Sequence, residues 1–328
     1  MTWCNNTIQY NTKQEKLHSI LETENNLNLS SYFSFCFNFF VSPLFIYFTF
    51  IYLYDIVGKW VGNQGFVMIA VPAAGSEPNG PGKFDIKQFT YREEFNIEKV
   101  GDPLQVGGSI DQTSGVLKYT KKVWATSDPA KDVVIHEENG MFFFLPNIVN
   151  IPDGTPVAPK DQAPYSIGRS ASVPHGNAAM MFGDATEPGQ VGAPNIPFVN
   201  TLPSAEKVKE FPPFYLGPYI DGLEPLNLKP TAALKGALAK NGPVKSYYQI
   251  SMTTDHKDAG GLVNTNFVNK RADTRKYSAD FWIEQLENGK LQMQYSEVAN
   301  IFFHFNKGFI SKSEIDWPHV MVNTLTKQ

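Results

Sequence analysis

The sequence predicts an all-β protein, an antiparallel up-and-down barrel or a sandwich. Three observations carry that reading: strand-length runs after Asp55 alternate apolar and polar residues, turn residues separate these runs, and helical periodicity is nearly absent.

The first 55 residues have a different texture. From Asn25 through Tyr54 there is no Asp, Glu, Lys, Arg or His, and the part from Tyr32 to Tyr54 is dense in Phe, Tyr, Ile and Leu. A bilayer-spanning helix needs about 20 apolar residues, which this segment satisfies. Asn38, Pro43 and the aromatic load count against it, as does the lack of a flanking basic bias. A cleaved signal peptide fits worse, because no basic stretch precedes a short apolar core near Met1. The segment 32–54 therefore reads either as a membrane tether or as an extension outside the core, and residues 56–328 read as the folded domain. Cys4 and Cys36, both before Asp55, leave the core without a disulfide framework or a thiolate metal site.

The strands follow in order. Phe89, Tyr91, Phe95 and Ile97 fall on one face, with Thr90, Arg92, Glu94 and Asn96 on the other, so one face reads as dry. Similar alternation marks Leu117, Tyr119 and Val123; Phe281 and Ile283; Leu291, Met293 and Tyr295; and Ile301, Phe303 and Phe305. Turn chemistry separates them at Val100-Gly101-Asp102-Pro103, Ser127-Asp128-Pro129 and Glu287-Asn288-Gly289-Lys290. The Asn-Gly pair predicts a hairpin from Phe281 to Tyr295. One helix is expected over Thr231–Lys240, with Pro230 starting its first turn and Leu234 and Leu238 on one face. Two Pro-rich insertions interrupt the pattern. Residues 147–164 read as a surface excursion, and 186–244, rich in Pro, Gly and aromatics, as a cover over one barrel mouth.

Charge excludes one large class of function. Lys and Arg total 28 against 32 for Asp and Glu, a net charge of -4, with no dense basic stripe to follow a phosphate backbone. Nucleic acid is therefore not an expected partner.

Catalytic motifs are sparse. There is no Gly-x-Ser-x-Gly elbow, and Gly107-Gly108-Ser109 and Gly260-Gly261 lack phosphate-cradle spacing and read as turns. His136-Glu137-Glu138-Asn139-Gly140 begins like a zincin helix but lacks the second histidine and sits in strand-like sequence. The histidines stand singly. His18 and His256 lie in polar sequence and read as solvated, and His304 among phenylalanines reads as a half-exposed strand residue. His319, in Trp317-Pro318-His319-Val320-Met321, enters what reads as a short closing strand. For an arbitrary histidine an ordinary hydrogen bond is the default, but haem needs one strong axial imidazole and an apolar slot, which suits sparse histidines among many aromatics.

Several motifs together carry a resemblance. Gly58-Lys59-Trp60-Val61-Gly62, Phe89 to Glu94 leading to Val100-Gly101-Asp102-Pro103, Leu117-Lys118-Tyr119 to Trp124, and His136-Glu137-Glu138-Asn139-Gly140-Met141-Phe142 resemble, in type and order, the nitrobindin-like haem-binding β-barrels. These barrels are similar in shape to fatty-acid-binding proteins, within the calycin group. The end of the chain matches as well, with a hairpin and then a final strand bearing a histidine. The resemblance implies a barrel of about ten strands, haem b as cofactor and His319 as axial iron ligand. It places Gly58, Trp60 and Gly62 beside the haem and His136 facing the cavity. His175, followed by Gly176, stands where the family commonly has a Thr-Gly pair and is a further cofactor-side candidate.

Nitric oxide is the small ligand the resemblance implies, with peroxynitrite isomerisation or weak peroxidase-like chemistry if there is turnover. His136 or His175 on the distal side would supply the proton transfer that peroxide chemistry needs. The barrel domain is expected in the cytoplasm, and at a membrane if segment 32–54 is a tether. Two other classes fit the same sequence: a carrier of fatty acid or another apolar molecule without haem, and a membrane-tethered interaction module using the Pro/aromatic insertion.

Overall fold

The structure, a computed structural model, describes residues 54–72, 84–100, 104–106, 112–145, 165–174, 176–203, 229–257, 259–265, 272–304 and 314–328. Segment 32–54 apart from Tyr54, both cysteines, His18, His175, the whole of insertion 147–164 and residues 204–228 of the second insertion lie outside them. Among the described residues no helix is long and apolar enough to cross a membrane.

The strands are β1 (Gly58–Pro72), β2 (Phe84–Lys99), β3 (Leu104–Val106), β4 (Gln112–Ala125), β5 (Val134–Phe144), β6 (Ile167–Val173), β7 (Asn177–Ala185), β8 (Gln190–Val191), β9 (Val244–Thr253), β10 (Gly261–Asn264), β11 (Ala272–Leu286), β12 (Leu291–His304) and β13 (Glu314–Lys327). A 3-10 turn, Tyr54–Ile56, precedes β1, and helix α1 spans Thr231–Asn241.

Ten of these strands close an antiparallel barrel in the order β7-β6-β5-β4-β2-β1-β13-β12-β11-β9, and β9 pairs back onto β7. Closure removes the exposed sheet edges that an open sheet of this size would present. Strand β7 makes the seam by dividing its partners: Asn177 to Met180 pair with β10 and Phe182 to Ala185 with β9.

The local expectations fare well where they rest on period two. Phe281 pairs with Tyr295 in the β11–β12 hairpin, whose turn places Gly289 at φ +81, a left-handed value that glycine adopts without a Cβ clash. Strand β13 is longer than expected. It begins at Glu314 rather than at His319, because Ile315 and Trp317 pair with Phe303 and Ile301.

Two points go beyond the expectations. First, the aromatic stretch 211–219 on which the expected mouth cover rests lies outside the described residues, and the described parts of the insertion cover the outer wall. Helix α1 and Ile196 pack on the outer wall, where Leu234 joins Phe66, Met68, Trp282, Val320 and Val322. The reason is visible in β1, whose unbroken apolar run Phe66 to Val71 leaves apolar side chains on both faces of the sheet and requires an outer cover. Gln294 Nε2 fixes that cover by donating to the Leu234 carbonyl at 2.8 Å. Second, the inward face is not uniformly dry: Glu93, Lys121, Glu138, Arg169 and Glu297 are all buried on it.

The N- and C-terminal strands are tied at the packed end. Trp60 is fully buried and donates from Nε1 to the Ile56 carbonyl at 2.7 Å. Lys327 Nζ donates to the Asp55 carbonyl at 2.7 Å and lies 5.7 Å from the Trp60 ring. A Cβ on Gly58 would stand 2.9 Å from Lys327 Cε, and one on Gly62 would stand 2.4 Å from the Thr324 carbonyl oxygen. Gly58, Trp60 and Gly62 thus share one physical role, the close approach of β1 to β13.

Candidate functional site

One half of the barrel is filled and the other is open. Phe95, Tyr119, Phe142, Phe281, Met293 and Leu325 fill the packed half together with Trp60. Towards the other end lies a cavity of about 420 Å³, within the range of small-molecule sites. Its walls are mainly apolar, from Val67, Val71, Phe89, Ile135, Leu262 and Ile301. Its polar lining is His136, Asn177, Thr274, Tyr277, Glu297 and His319.

Strand geometry explains how His319 arrives there. Side chains alternate along β13, so His319 and Met321 face inward while Val320 and Val322 join the outer cluster. His319 pairs with Ala299 on β12, and Ala299 pairs with Tyr277 on β11. The three form a row across the wall, and the methyl group of Ala299 leaves open space between a phenol and an imidazole. The Nε2 atom of His319 is buried.

His136 reaches the cavity from another direction. Its strand β5 lies four places from β13 one way around the ring and six the other, on roughly the opposite wall. The β4–β5 register passes from Val123 opposite His136 to Trp124 opposite Val134, so Ile135 is the extra residue of a bulge. His136 Nε2 lies 3.1 Å from Glu138 Oε2.

Behind these groups is a buried ionic floor. Arg169 Nη2 donates to Glu138 Oε1 at 2.6 Å, and Arg169 Nη1 to Glu297 Oε1 at 2.7 Å. Lys121 Nζ donates to Glu297 Oε2 at 2.6 Å. The Tyr119 hydroxyl donates to Glu138 and accepts from Arg169 Nε. The guanidinium also lies 5.1, 5.6 and 5.2 Å from the ring centroids of Tyr119, Phe142 and Phe281, within cation–π range.

Burial alone would push the Glu138 carboxyl up, but the Arg169 guanidinium overrides it and holds the group well below the usual range. Glu297 is likewise held down, burial being outweighed by Lys121 and Arg169. Glu93, accepting from Tyr295 at 2.5 Å and Asn323 at 2.8 Å, is pushed up from its ordinary value by burial. Burial also raises the Tyr277 phenol well above its ordinary value, which keeps it neutral. Two cations, Lys121 and Arg169, therefore face the carboxylates of Glu138 and Glu297.

Of the residues singled out from sequence, the structure brings His136 and His319 into one cavity. Gly58, Trp60 and Gly62 lie at the packed end, outside its lining, and His175 lies outside the described residues, although its neighbours Val173 and Asn177 line the cavity. His256 is not simply solvated: its Nε2 is 2.8 Å from the Phe182 carbonyl oxygen and its ring 4.3 Å from Tyr165. Lys121, Glu138, Arg169, Tyr277 and Glu297 were not assigned from sequence. Their signal was present as a charge or hydroxyl at period-two positions of an apolar face, such as Lys121 between Tyr119 and Val123, and Glu297 between Tyr295 and Ala299.

Among the described residues no cluster of three or more His, Cys, Asp or Glu could hold a metal ion. A haem iron, held by its porphyrin, asks the protein for a single imidazole in an apolar cavity, and the residues present fit that requirement.

No protein-family model matches the chain, and no curated protein is similar to it. Among solved structures it is similar to the crystal structure of Rv2717c from M. tuberculosis, at 12% identity and a TM-score of 0.38, over 85% of this chain and 96% of that one.

Proposed function

We propose that the barrel binds haem b with His319 as the iron's protein ligand, and takes a small molecule such as nitric oxide or a peroxide-type oxidant on the iron's other face. The observation that carries this reading is the position of His319, on the last strand β13, lining a mainly apolar cavity of about 420 Å³. His319 pairs across the wall with Ala299, whose small side chain also lines the cavity. When bound, the iron would supply a coordination position for the small ligand. The chain's own residues do the rest. Apolar walls exclude water, and His136, held by Glu138, offers a proton-transfer group on the opposite wall, which peroxide chemistry requires.

Titration of the purified full chain with hemin tests this. A Soret band is expected, lost in His319→Ala and retained in His136→Ala, with unchanged far-UV circular dichroism in both. A Soret band that persists unaltered in His319→Ala would sink the assignment. A second reading, carriage of an apolar molecule without iron, is favoured by the predominance of apolar lining and by the burial of His319 Nε2. Absence of any Soret band in the wild-type chain would leave that reading standing.

A further inference from the structure

We propose that Glu297 sets the charge class of the ligand: the cavity accepts uncharged head groups at its floor and rejects carboxylates, because Glu297 already occupies the only two cations buried there among the described residues. The inference rests on the reading of this cavity as a ligand site and goes further, by naming what the site admits.

The geometry is specific. Lys121 and Arg169 are buried to within 1% of full burial and do not line the cavity, whereas Glu297, 2% exposed, does. Glu297 stands between the cavity and both cations, with Oε1 taken by Arg169 and Oε2 by Lys121. Arg169 is further committed to Glu138. An incoming carboxylate would meet a like charge in a desolvated corner with no accessible cation, an arrangement that disfavours ionisation of one partner or entry of the other. An alcohol or carbonyl meets instead the neutral Tyr277 hydroxyl, in the same lining and paired through Ala299 to His319. For a porphyrin, the same floor would disfavour entry by the carboxylate-bearing edge.

The test uses three ligands of one chain length and different head-group charge, decan-1-ol, decanoate and decylammonium, with binding to the full chain measured by calorimetry at pH 7.4. Wild type should bind decanol at least tenfold more tightly than either ion. Glu297→Gln uncovers a cation and should gain decanoate binding by tenfold or more. Lys121→Met leaves a carboxylate uncompensated and should gain decylammonium instead. Either variant carries the test if the other does not fold, since the two predict gains for opposite charges. Wild type binding decanoate as tightly as decanol, or a folded variant with unchanged preference, overturns the charge filter but leaves the cavity as a ligand site. Binding of none of the three ligands by any of the proteins overturns both the filter and the cavity reading.

Discussion

Replacing Arg169 by Met should convert the buried floor from a paired ionic network into a pH-dependent liability. Methionine keeps much of the side-chain volume among Tyr119, Phe142 and Phe281 while removing the donors to Glu138 and Glu297. Breaking a fully buried pair by deleting one partner costs about 3–5 kcal/mol, a large share of the roughly 5–15 kcal/mol that stabilises a folded domain. In the wild type, Glu138 is held below its unfolded value of about 4.3, so its contribution is complete above that pH and is lost as pH falls through the folded value. Without the guanidinium, burial dominates and the folded-state value rises above the unfolded one. The variant then takes up a proton on folding and gains stability as pH falls from the raised value towards about 4.3. The deficit relative to wild type should therefore be largest near pH 7.5 and shrink towards pH 5. Urea unfolding followed by tryptophan fluorescence at pH 5, 6 and 7.5 measures it. A deficit below about 1 kcal/mol, or one that does not change with pH, would refute the network as described.

Three further outcomes are expected. Glu284, buried on β11 and bonded at one oxygen by Gln292 at 2.5 Å, is pushed up by burial to about 8. Wild-type stability should consequently fall as pH rises from about 4.3 towards that value, and Glu284→Gln should remove the slope and be the more stable protein at pH 8 by at least about 1 kcal/mol; parallel slopes in urea titrations would contradict this. Ala299→Leu should fill the space between Tyr277 and His319, lowering hemin affinity tenfold or more while changing unfolding free energy by under about 1.5 kcal/mol; unaltered hemin titration would count against that space as the binding site. A Cβ at Gly140 would fall 1.9 Å from the Ser170 carbonyl oxygen, so Gly140→Ala should push β5 from β6 and cost about 1–3 kcal/mol, read as a lowered thermal midpoint, with an unshifted midpoint as the contrary result.

The reach of sequence reading follows the range of the interaction. Alternation over Phe89 to Ile97 gives β2, Asn288-Gly289 gives the β11–β12 turn, and Pro230 with Leu234 gives α1, because period, turn chemistry and helix start are set by residues close in the chain. The buried charges obey the same alternation, and Glu93, between Tyr91 and Phe95, could have been read as inward from it. Its partners could not, since Tyr295 and Asn323 lie more than two hundred residues away.

By itself, then, the sequence determined an antiparallel all-β chain of period-two strands, a helix after Pro230, and a histidine on the last strand. Tertiary structure alone decided that β7 would turn to β9 and close the ring, that the Gly58-Trp60-Gly62 segment would seal the packed end, and that His319 would share a row with Ala299 and Tyr277. It alone decided that Glu297 would stand before Lys121 and Arg169. Strand register and ring closure are choices among distant partners, made by the joint burial of both faces, and nothing in a local run of residues specifies which distant strand will supply the other half of a pair.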